Sequence, residues 1–265
     1  MIARAMTKAR FWSAIVAVYG LLALFAPVLA PHGEADPVGP VWQAPGATYL
    51  LGTDDLGRDM LSRLLYGGRT TIALAFAISV LAFGIGASLG FTAAIVGSWL
   101  DMILGRIVDA LMALPSLILA LLVLSVLGSS IPILIGVIAL LDSTRVFRLS
   151  RALAVDIMAL DFVEVARLRG EGLLWIMRRE ILPNAVGVLA VEFALRFGFA
   201  ILFVSSLSFL GLGVQPPSAD WGSMVRENAM AINFGVLAPL FPAAAIAGLA
   251  ISVNALVDSL SGRRR

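Results

Sequence analysis

Long runs of apolar residues alternate along the chain with shorter polar segments. A bilayer core of about 30 Å needs about 20 apolar residues per helix, so each run of that length predicts a membrane-spanning helix. Asp142, Arg145 and Arg148 interrupt one run. It is kept as a span because an even number of spans is needed to place both termini on the same side of the membrane. Charged residues inside a membrane can also face protein instead of lipid. The predicted spans are Phe11–Ala30, Thr71–Gly97, Ile107–Leu127, Ile131–Leu149, Asn184–Gly213 and Gly235–Val257.

Composition places the chain among membrane proteins. Hydrophobic residues make up 60% and charged residues 14%, with a mean hydropathy of +0.98. Soluble domains carry about 25% charged residues, well above this value. The chain contains no cysteine, so disulfides, thiolate chemistry and iron–sulfur ligation are excluded.

The basic residues predict the orientation of the spans. Lys and Arg in short flanking segments are retained on the cytoplasmic side. Six spans put the N-terminus, Ser98–Arg106, the region from Arg145 to Arg179 and the C-terminal tail on that side, so both termini should be cytoplasmic. The net charge of +2 is then a topology signal, and no nucleic-acid partner is expected. The terminal basic residues are Arg4, Lys8, Arg10, Arg263, Arg264 and Arg265.

The residues needed for catalysis are scarce. His32 is the one histidine, which excludes a metal site built from imidazoles, and Lys8 is the one lysine, which excludes a phosphate-binding loop for ATP. Four carboxylates fall within predicted spans or their ends, each on a different helix, and nothing in the sequence brings two together. We therefore expect no enzymatic activity, no metal and no cofactor on this chain. The four carboxylates are Asp109, Asp142, Glu192 and Asp258.

The stretch from Asp161 to Asn184 carries eight charged residues in an otherwise aliphatic chain. Asp161 is a candidate helix cap, with Glu164 three residues on. Polar residues then recur at helical spacing on one face and apolar residues on another, and the two faces predict a short amphipathic helix. The polar face holds Glu164, Arg167 and Glu171, and the apolar face holds Phe162, Val165 and Leu168.

Gly170 is predicted to end this helix in the left-handed conformation. A second helical segment should run from Leu173 until Pro183 stops it. The segment is open to two interpretations. It is either a solvated connector whose arginines set the topology and touch lipid headgroups, or a surface built for docking.

The same stretch resembles a signature of permease subunits of bacterial ABC importers, written E-A-A-x3-G-x9-I-x-L-P. Three further stretches closely resemble the second, C-type permease of dipeptide, oligopeptide and nickel importers, and the resemblance covers nearly the whole chain. The signature falls on Glu164, Ala166, Gly170, Leu182 and Pro183, and the other stretches are Gly52–Thr70, Val108–Leu122 and Leu207–Met224.

The resemblance implies an all-α, six-span permease with the type I importer (MetI-like) fold, located in the bacterial inner membrane. It implies a heterodimer with a homologous second permease, two ATP-binding subunits that hold ATP and Mg, and an extracytoplasmic binding protein that delivers peptides. The signature loop would dock on the ATPase. Val165 and Glu180 depart from the family pattern. The implied docking residues are Glu164, Val165, Ala166, Arg167, Gly170, Leu182 and Pro183.

Alternatives from other functional classes are a stand-alone secondary transporter or channel, and a membrane enzyme.

Segment 1–30 holds the first span, 31–70 an external loop, and 71–265 the permease core with its cytoplasmic loop 150–183. Within the external loop, Thr53 or Asp54 should cap an amphipathic helix over Asp55–Tyr66 that lies on the outer membrane surface. Its charged residues either pack structurally or contact the binding protein. The contact candidates are Asp54, Asp55, Arg58 and Asp59.

Charges and special residues inside the other predicted spans raise further alternatives. Glu192 and Arg196 stand one helical turn apart. Together with Asp142 they either line a translocation path or neutralise one another between helices. Pro115 should kink the third span, and Trp221 should anchor an external loop at the membrane interface.

Overall fold

The computed structural model describes residues 2–261. In that range the chain is helical apart from its loops, and its extended pairing amounts to two isolated β-bridges, Pro37 with Arg58 and Thr53 with Asp59. The all-helical prediction is confirmed. The basic tail Arg263, Arg264 and Arg265, which entered the orientation prediction, lies outside the described residues.

Eleven α-helices, a π-helical turn and a 3-10 helix follow one another in these residues. The π-helical turn, Met177–Ile181, joins α8 to α9, and the 3-10 helix, Ala229–Phe234, follows α10. The α-helices are α1 Ile2–Leu24, α2 Ala26–Leu29, α3 Met60–Val96, α4 Ser98–Met112, α5 Ser116–Leu127, α6 Ile131–Met158, α7 Asp161–Leu168, α8 Leu173–Ile176, α9 Leu182–Phe209, α10 Trp221–Glu227 and α11 Leu240–Ser261.

Four stretches of the described chain are long and apolar enough to cross a membrane: Thr7–Leu24, Met60–Val96, Leu173–Phe209 and Leu240–Ser259. The pair α4 and α5 adds a fifth when it is counted as one broken span. The remaining predicted span lies in α6, a helix of 28 residues that carries the interrupting charges. Its length of about 42 Å, at about 1.5 Å per residue, suffices to cross, so the six-span count depends on α6.

The third predicted span is broken. Helices α4 and α5 meet at an angle of 87°, where the sequence predicted one helix kinked at Pro115. Pro115 is the N-terminal cap of α5, because proline has no N–H to donate and disfavours helical geometry in the preceding residue. Helix α4 also begins at Ser98, so Ser98–Arg106, which the sequence leaves between two predicted spans, is helical.

Helices α3 and α6 pack closely against each other in the described core. A Cβ atom on Gly86 would lie 2.6 Å from the carbonyl oxygen of Ser143, and one on Gly90 would lie 2.6 Å from that of Phe147. Only glycine allows the two backbones to approach this closely. Ile78 of α3 and Ile138 of α6 belong to the larger hydrophobic cluster, which α5, α9, α10 and α11 complete.

One end of the bundle, here called the loop end, holds residues 30–59 together with α10. The predicted surface helix over Asp55–Tyr66 is not formed there. The side chain of Asp54 accepts hydrogen bonds from the backbone N–H groups of Leu56 (2.9 Å) and Arg58 (2.8 Å), which holds these residues in a turn. The helix begins at Met60, after the cap Asp59, and continues as α3 to Val96.

Trp221 lies inside the loop end and is not an interface anchor. Its ring is buried, and its Nε1 donates to the carbonyl oxygen of Leu64 at 2.9 Å. A Cβ atom on Gly68 would lie 2.8 Å from the ring. The interface prediction was wrong because the glycines of α3 leave room for the ring to pack between α3 and α10.

Candidate functional site

Residues 161–183, here called the finger, form a helix, a turn and a second helical segment at the opposite end of the bundle. The first helix, α7, begins at Asp161, where the sequence predicted that a helix starts. The predicted capping box is absent, because Leu160 is the N-cap and no side chain bonds to the end of α7. Asp161 and Glu164 still lie in the first turn, where negative charge favours the helix dipole.

The buried face of α7 consists of Val163 and Ala166. They pack in a second hydrophobic cluster with Phe91 of α3 and Ile157 of α6. The resemblance implied that Ala166 approaches an ATPase, yet its side chain is fully buried within this chain. A small residue at this position lets α7 seat closely on the ends of α3 and α6.

The apolar stripe predicted along α7 faces outward. Phe162 is 39% exposed, Val165 is 51% exposed and Leu168 is 82% exposed. Glu164 and Arg167 are exposed beside this stripe. Within the described residues nothing covers this face, so the finger offers an amphipathic surface to a partner.

Gly170 ends the first part of the finger with a φ of +82°, which confirms the predicted left-handed residue. The next part differs from the prediction, because Pro183 does not stop the helix. A π-helical turn at Met177–Ile181 precedes the proline, and the N–H of Leu182 donates to the carbonyl oxygen of Met177. The widened turn accommodates the proline ring, and the helix runs on from Leu173 to Phe209.

A charge cluster lies between α6 and α9. Arg196 donates to Glu192 at 2.7 Å and to Asp142 at 3.4 Å. One guanidinium thus contacts two carboxylates that lie on different helices, because α6 and α9 place their inner faces together. This geometry supports the interpretation in which the charges hold two helices together, while a role in the translocation path stays a prediction. Arg145, which the sequence showed only as a charge that interrupts a span, lies next to this cluster.

A second set of charges, here called the loop network, ties the loop end together. Arg63 contacts Asp54 at 2.5 Å and Glu227 at 2.8 Å, and Arg58 contacts Asp54 at 2.6 Å. Arg58 also contacts Asp55 at 3.1 Å. The sequence did not reveal that Arg63 and Glu227 are partners, because they lie 164 residues apart in the chain.

Burial decides what the loop network can do. Asp54, Arg58 and Asp59 are buried, and Asp55 is partly exposed. The pKa of the Asp55 carboxyl is raised, first by burial and then by the charge of Asp54. The structure therefore supports the packing interpretation, and a contact between these residues and a binding protein stays a prediction.

Carboxylate oxygens of Asp54, Asp55 and Glu227 lie within 4.8 Å of one another, a spacing that a cation could use. The guanidinium groups of Arg58 and Arg63 already contact all three carboxylates. These two cations offset two of the three negative charges from within the chain.

Fold and sites together define a polytopic helical membrane protein with an exposed helical finger between two spans. Residues 84–265 match the family of binding-protein-dependent transport system inner membrane components. The chain belongs to this family. The permease resemblance read from the sequence is thereby confirmed, and the family supports an ABC importer permease over a stand-alone transporter or channel.

Individual relatives cover most of the chain. The dipeptide transport system permease protein DppC of Alkalihalophilus pseudofirmus is 34% identical over 93% of this chain and 81% of its own length. The glutathione transport system permease protein GsiD of Pectobacterium atrosepticum is 35% identical over 82% of this chain and 72% of its own. The crystal structure of an amino acid ABC transporter matches with a TM-score of 0.55 and 20% identity over 77% of this chain and 95% of that chain, which supports the fold.

Proposed function

We propose that this chain imports peptides as one half of a permease heterodimer, driven by two ATPase subunits and supplied by an extracytoplasmic binding protein. In the proposed arrangement, both termini and the finger lie in the cytoplasm. The chain itself binds no cofactor, and ATP and Mg are held by the ATPase subunits. Peptides are proposed as cargo because relatives that cover most of the chain are named for dipeptide and glutathione transport.

The uncovered apolar stripe of α7 is the observation that carries the coupling role. Three large side chains, Phe162, Val165 and Leu168, are exposed on a helix of eight residues. Exposed apolar groups ringed by charges are typical of protein interfaces, where burial supplies most of the binding free energy. A solvated connector would gain nothing from this stripe.

The contacts of the finger indicate how a motor would move the spans. Val163 and Ala166 fix α7 against Phe91 and Ile157, near the ends of α3 and α6. The second half of the finger continues into α9 through the π-helical turn. A displacement of the finger would therefore act on α3, α6 and α9 together, as in rigid-body switching.

We assign Asp142, Glu192 and Arg196 to the wall of the translocation path. Arg196 is 17% exposed and Glu192 is 19% exposed, so the cluster reaches the surface of this chain. Charged groups at membrane depth face protein or water and not lipid. The exposed edge of the cluster would then face the second permease across the path.

The absence of cysteine makes a direct test possible. A single Leu168→Cys substitution provides one thiol on the finger, and Leu50→Cys, at a position 65% exposed, provides a matched thiol at the loop end. With a reagent that joins a thiol to a lysine, Leu168→Cys should crosslink to an ATPase subunit in the assembled transporter. Leu50→Cys should not crosslink to the ATPase, and in intact cells it alone should react with a membrane-impermeant maleimide.

Two results would contradict the proposal. One is a Leu168→Cys thiol that reacts from outside the cell, and the other is a finger that crosslinks to no ATPase while peptide import proceeds. Import that continues without any ATPase subunit would favour a stand-alone transporter.

A further inference from the structure

Arg145 is a cation at membrane depth that forms no ion pair with a carboxylate of residues 2–261. It follows Ile131, the first residue of α6, by fourteen residues, which corresponds to about 21 Å along the helix. Its guanidinium lies 4.9 Å from the centre of the Phe199 ring. Among residues 2–261, no ion pair involves Arg145, whereas Arg148 and Arg196 each contact a carboxylate. The side chain is exposed on this chain, and a charge at this depth is too costly to face lipid.

The guanidinium lies at a cavity formed by the break between α4 and α5. The cavity has a volume of about 460 Å³ and is lined by residues 111–117 with Leu141, Thr144 and Arg145. Arg145 contributes the one charge among these lining residues. The volume falls in the range of about 300–1,000 Å³ that suits small ligands.

The same break brings the N-terminus of α5 to this cavity. Ser116 and Leu117, the first residues of α5, line it, and no side chain caps this helix end. The first N–H groups of a helix have no partner inside the helix, and its dipole favours negative charge at that end. Broken membrane helices use such ends to bind anionic groups of substrates.

Asp142 supplies an independent sign of a ligand. Its Oδ2 atom is buried and has no hydrogen-bond partner among the described residues, although Oδ1 accepts from Arg196. Asp142 lines a narrow space next to the cavity together with Arg145, Ser116 and Phe199. A buried acceptor without a donor is costly, so a donor from outside the chain would stabilise it.

We propose that Arg145 and the N-terminus of α5 bind the terminal carboxylate of a peptide in transit, while Asp142 Oδ2 accepts an N–H group of the same peptide. A guanidinium pairs with a carboxylate through two parallel hydrogen bonds, and the helix end adds backbone donors. The terminal carboxylate of a peptide lies close to the last amide N–H, so one ligand offers both groups. This inference rests on the proposed function of peptide import.

Equilibrium binding to the assembled transporter tests the site without its binding protein. The complex of this chain, the second permease and the ATPase subunits is purified in detergent and titrated with radiolabelled trialanine and with its C-terminal amide. The wild-type complex should bind trialanine about tenfold or more tightly than the amide, because the amide lacks the charge. Arg145→Gln should abolish this preference, and Arg145→Lys should keep part of it. Arg148→Gln, a charge removal one turn away, should leave the preference unchanged.

Three results would overturn the inference: a wild-type complex with no preference, an Arg145→Gln complex that keeps the preference, or one that loses affinity for both peptides alike. The wild-type comparison needs no variant, so it stands even if Arg145→Gln fails to assemble. A wild-type complex that binds neither peptide while the complete transporter imports trialanine also overturns it. Failure of the complete transporter to import any short alanine peptide would instead contradict the proposed function.

Discussion

The two ends of the bundle use charged residues in opposite ways. At the loop end, Arg63 is 1% exposed and its guanidinium contacts Asp54 and Glu227 within the chain. In the finger, Glu164 and Arg167 are exposed beside an apolar stripe that ends in Leu168. Charge density alone therefore does not mark a docking surface. Charges that satisfy one another inside the chain hold its own loops, and charges around an uncovered apolar stripe remain available to a partner.

The physical cause lies in the backbone of each end. Residues 30–59 form no helix, so their N–H and carbonyl groups bond to one another across turns and, in addition, to side chains. Asn228 is one such side chain: its Oδ1 accepts from the backbone N–H of Asp55 at 3.1 Å and also from the ring N–H of Trp42 at 3.3 Å. The finger is helical over α7 and α8, so most of its backbone groups bond locally, and the outward side chains of α7, such as Phe162 and Leu168, stay exposed.

Removing a buried charge from the loop network should have the largest effect on stability. Arg63→Ala leaves Asp54 buried with one cation fewer, and breaking a buried pair in this way costs about 3–5 kcal/mol. Thermal and denaturant unfolding of the purified protein in detergent measures the loss. Arg69→Ala, at an exposed position on the same helix, is the matched control and should change stability by about 0.5 kcal/mol or less. Equal losses for the two variants would show that the network does not hold the loop end.

A substitution in the finger turn should have an intermediate and local effect. Gly170→Ala forces an L-residue to a φ of +82°, at a cost of about 1–2 kcal/mol. Amide hydrogen exchange in residues 161–176 should rise by about 5–30-fold, because the cost falls on the finger conformation. Gly172→Ala is the control, since Gly172 has a φ of −73° and open space around its Cβ position. The same exchange rates in both variants would exclude a conformational role for Gly170.

An exposed ion pair between α4 and α6 should have the smallest effect. Arg148 contacts Asp109 at 2.5 Å, but the two side chains are 52% and 61% exposed. Pairs of this kind contribute about 0–1 kcal/mol, and salt screens them. Arg148→Ala should therefore lower the free energy of unfolding by about 1 kcal/mol at most, and less at high salt. A loss as large as that of Arg63→Ala would remove the distinction between buried and exposed charges.

Several corrections arise where a local residue pattern competes with a distant contact or with a specific turn geometry. The stripe of apolar residues after Asp55 fits a surface helix, but the side chain of Asp54 turns the chain until Met60. Trp221 fits an interface anchor by residue type, yet the glycines of α3 open a place for it in the core. Pro183 should end a helix, and a π-helical turn lets the helix continue. Each outcome depends on atoms far along the chain or on turn geometry that residue type does not specify.

By itself the sequence determined the membrane class, the all-helical fold, the left-handed turn at Gly170 and the family resemblance. These features depend on run length, residue type and local spacing, which are properties of neighbouring residues. Only the tertiary structure decided that Arg63 is buried, that Arg196 joins Asp142 to Glu192, and that the broken third span places the end of α5 beside Arg145. Those features depend on which helix faces meet, and packing among distant segments determines that choice.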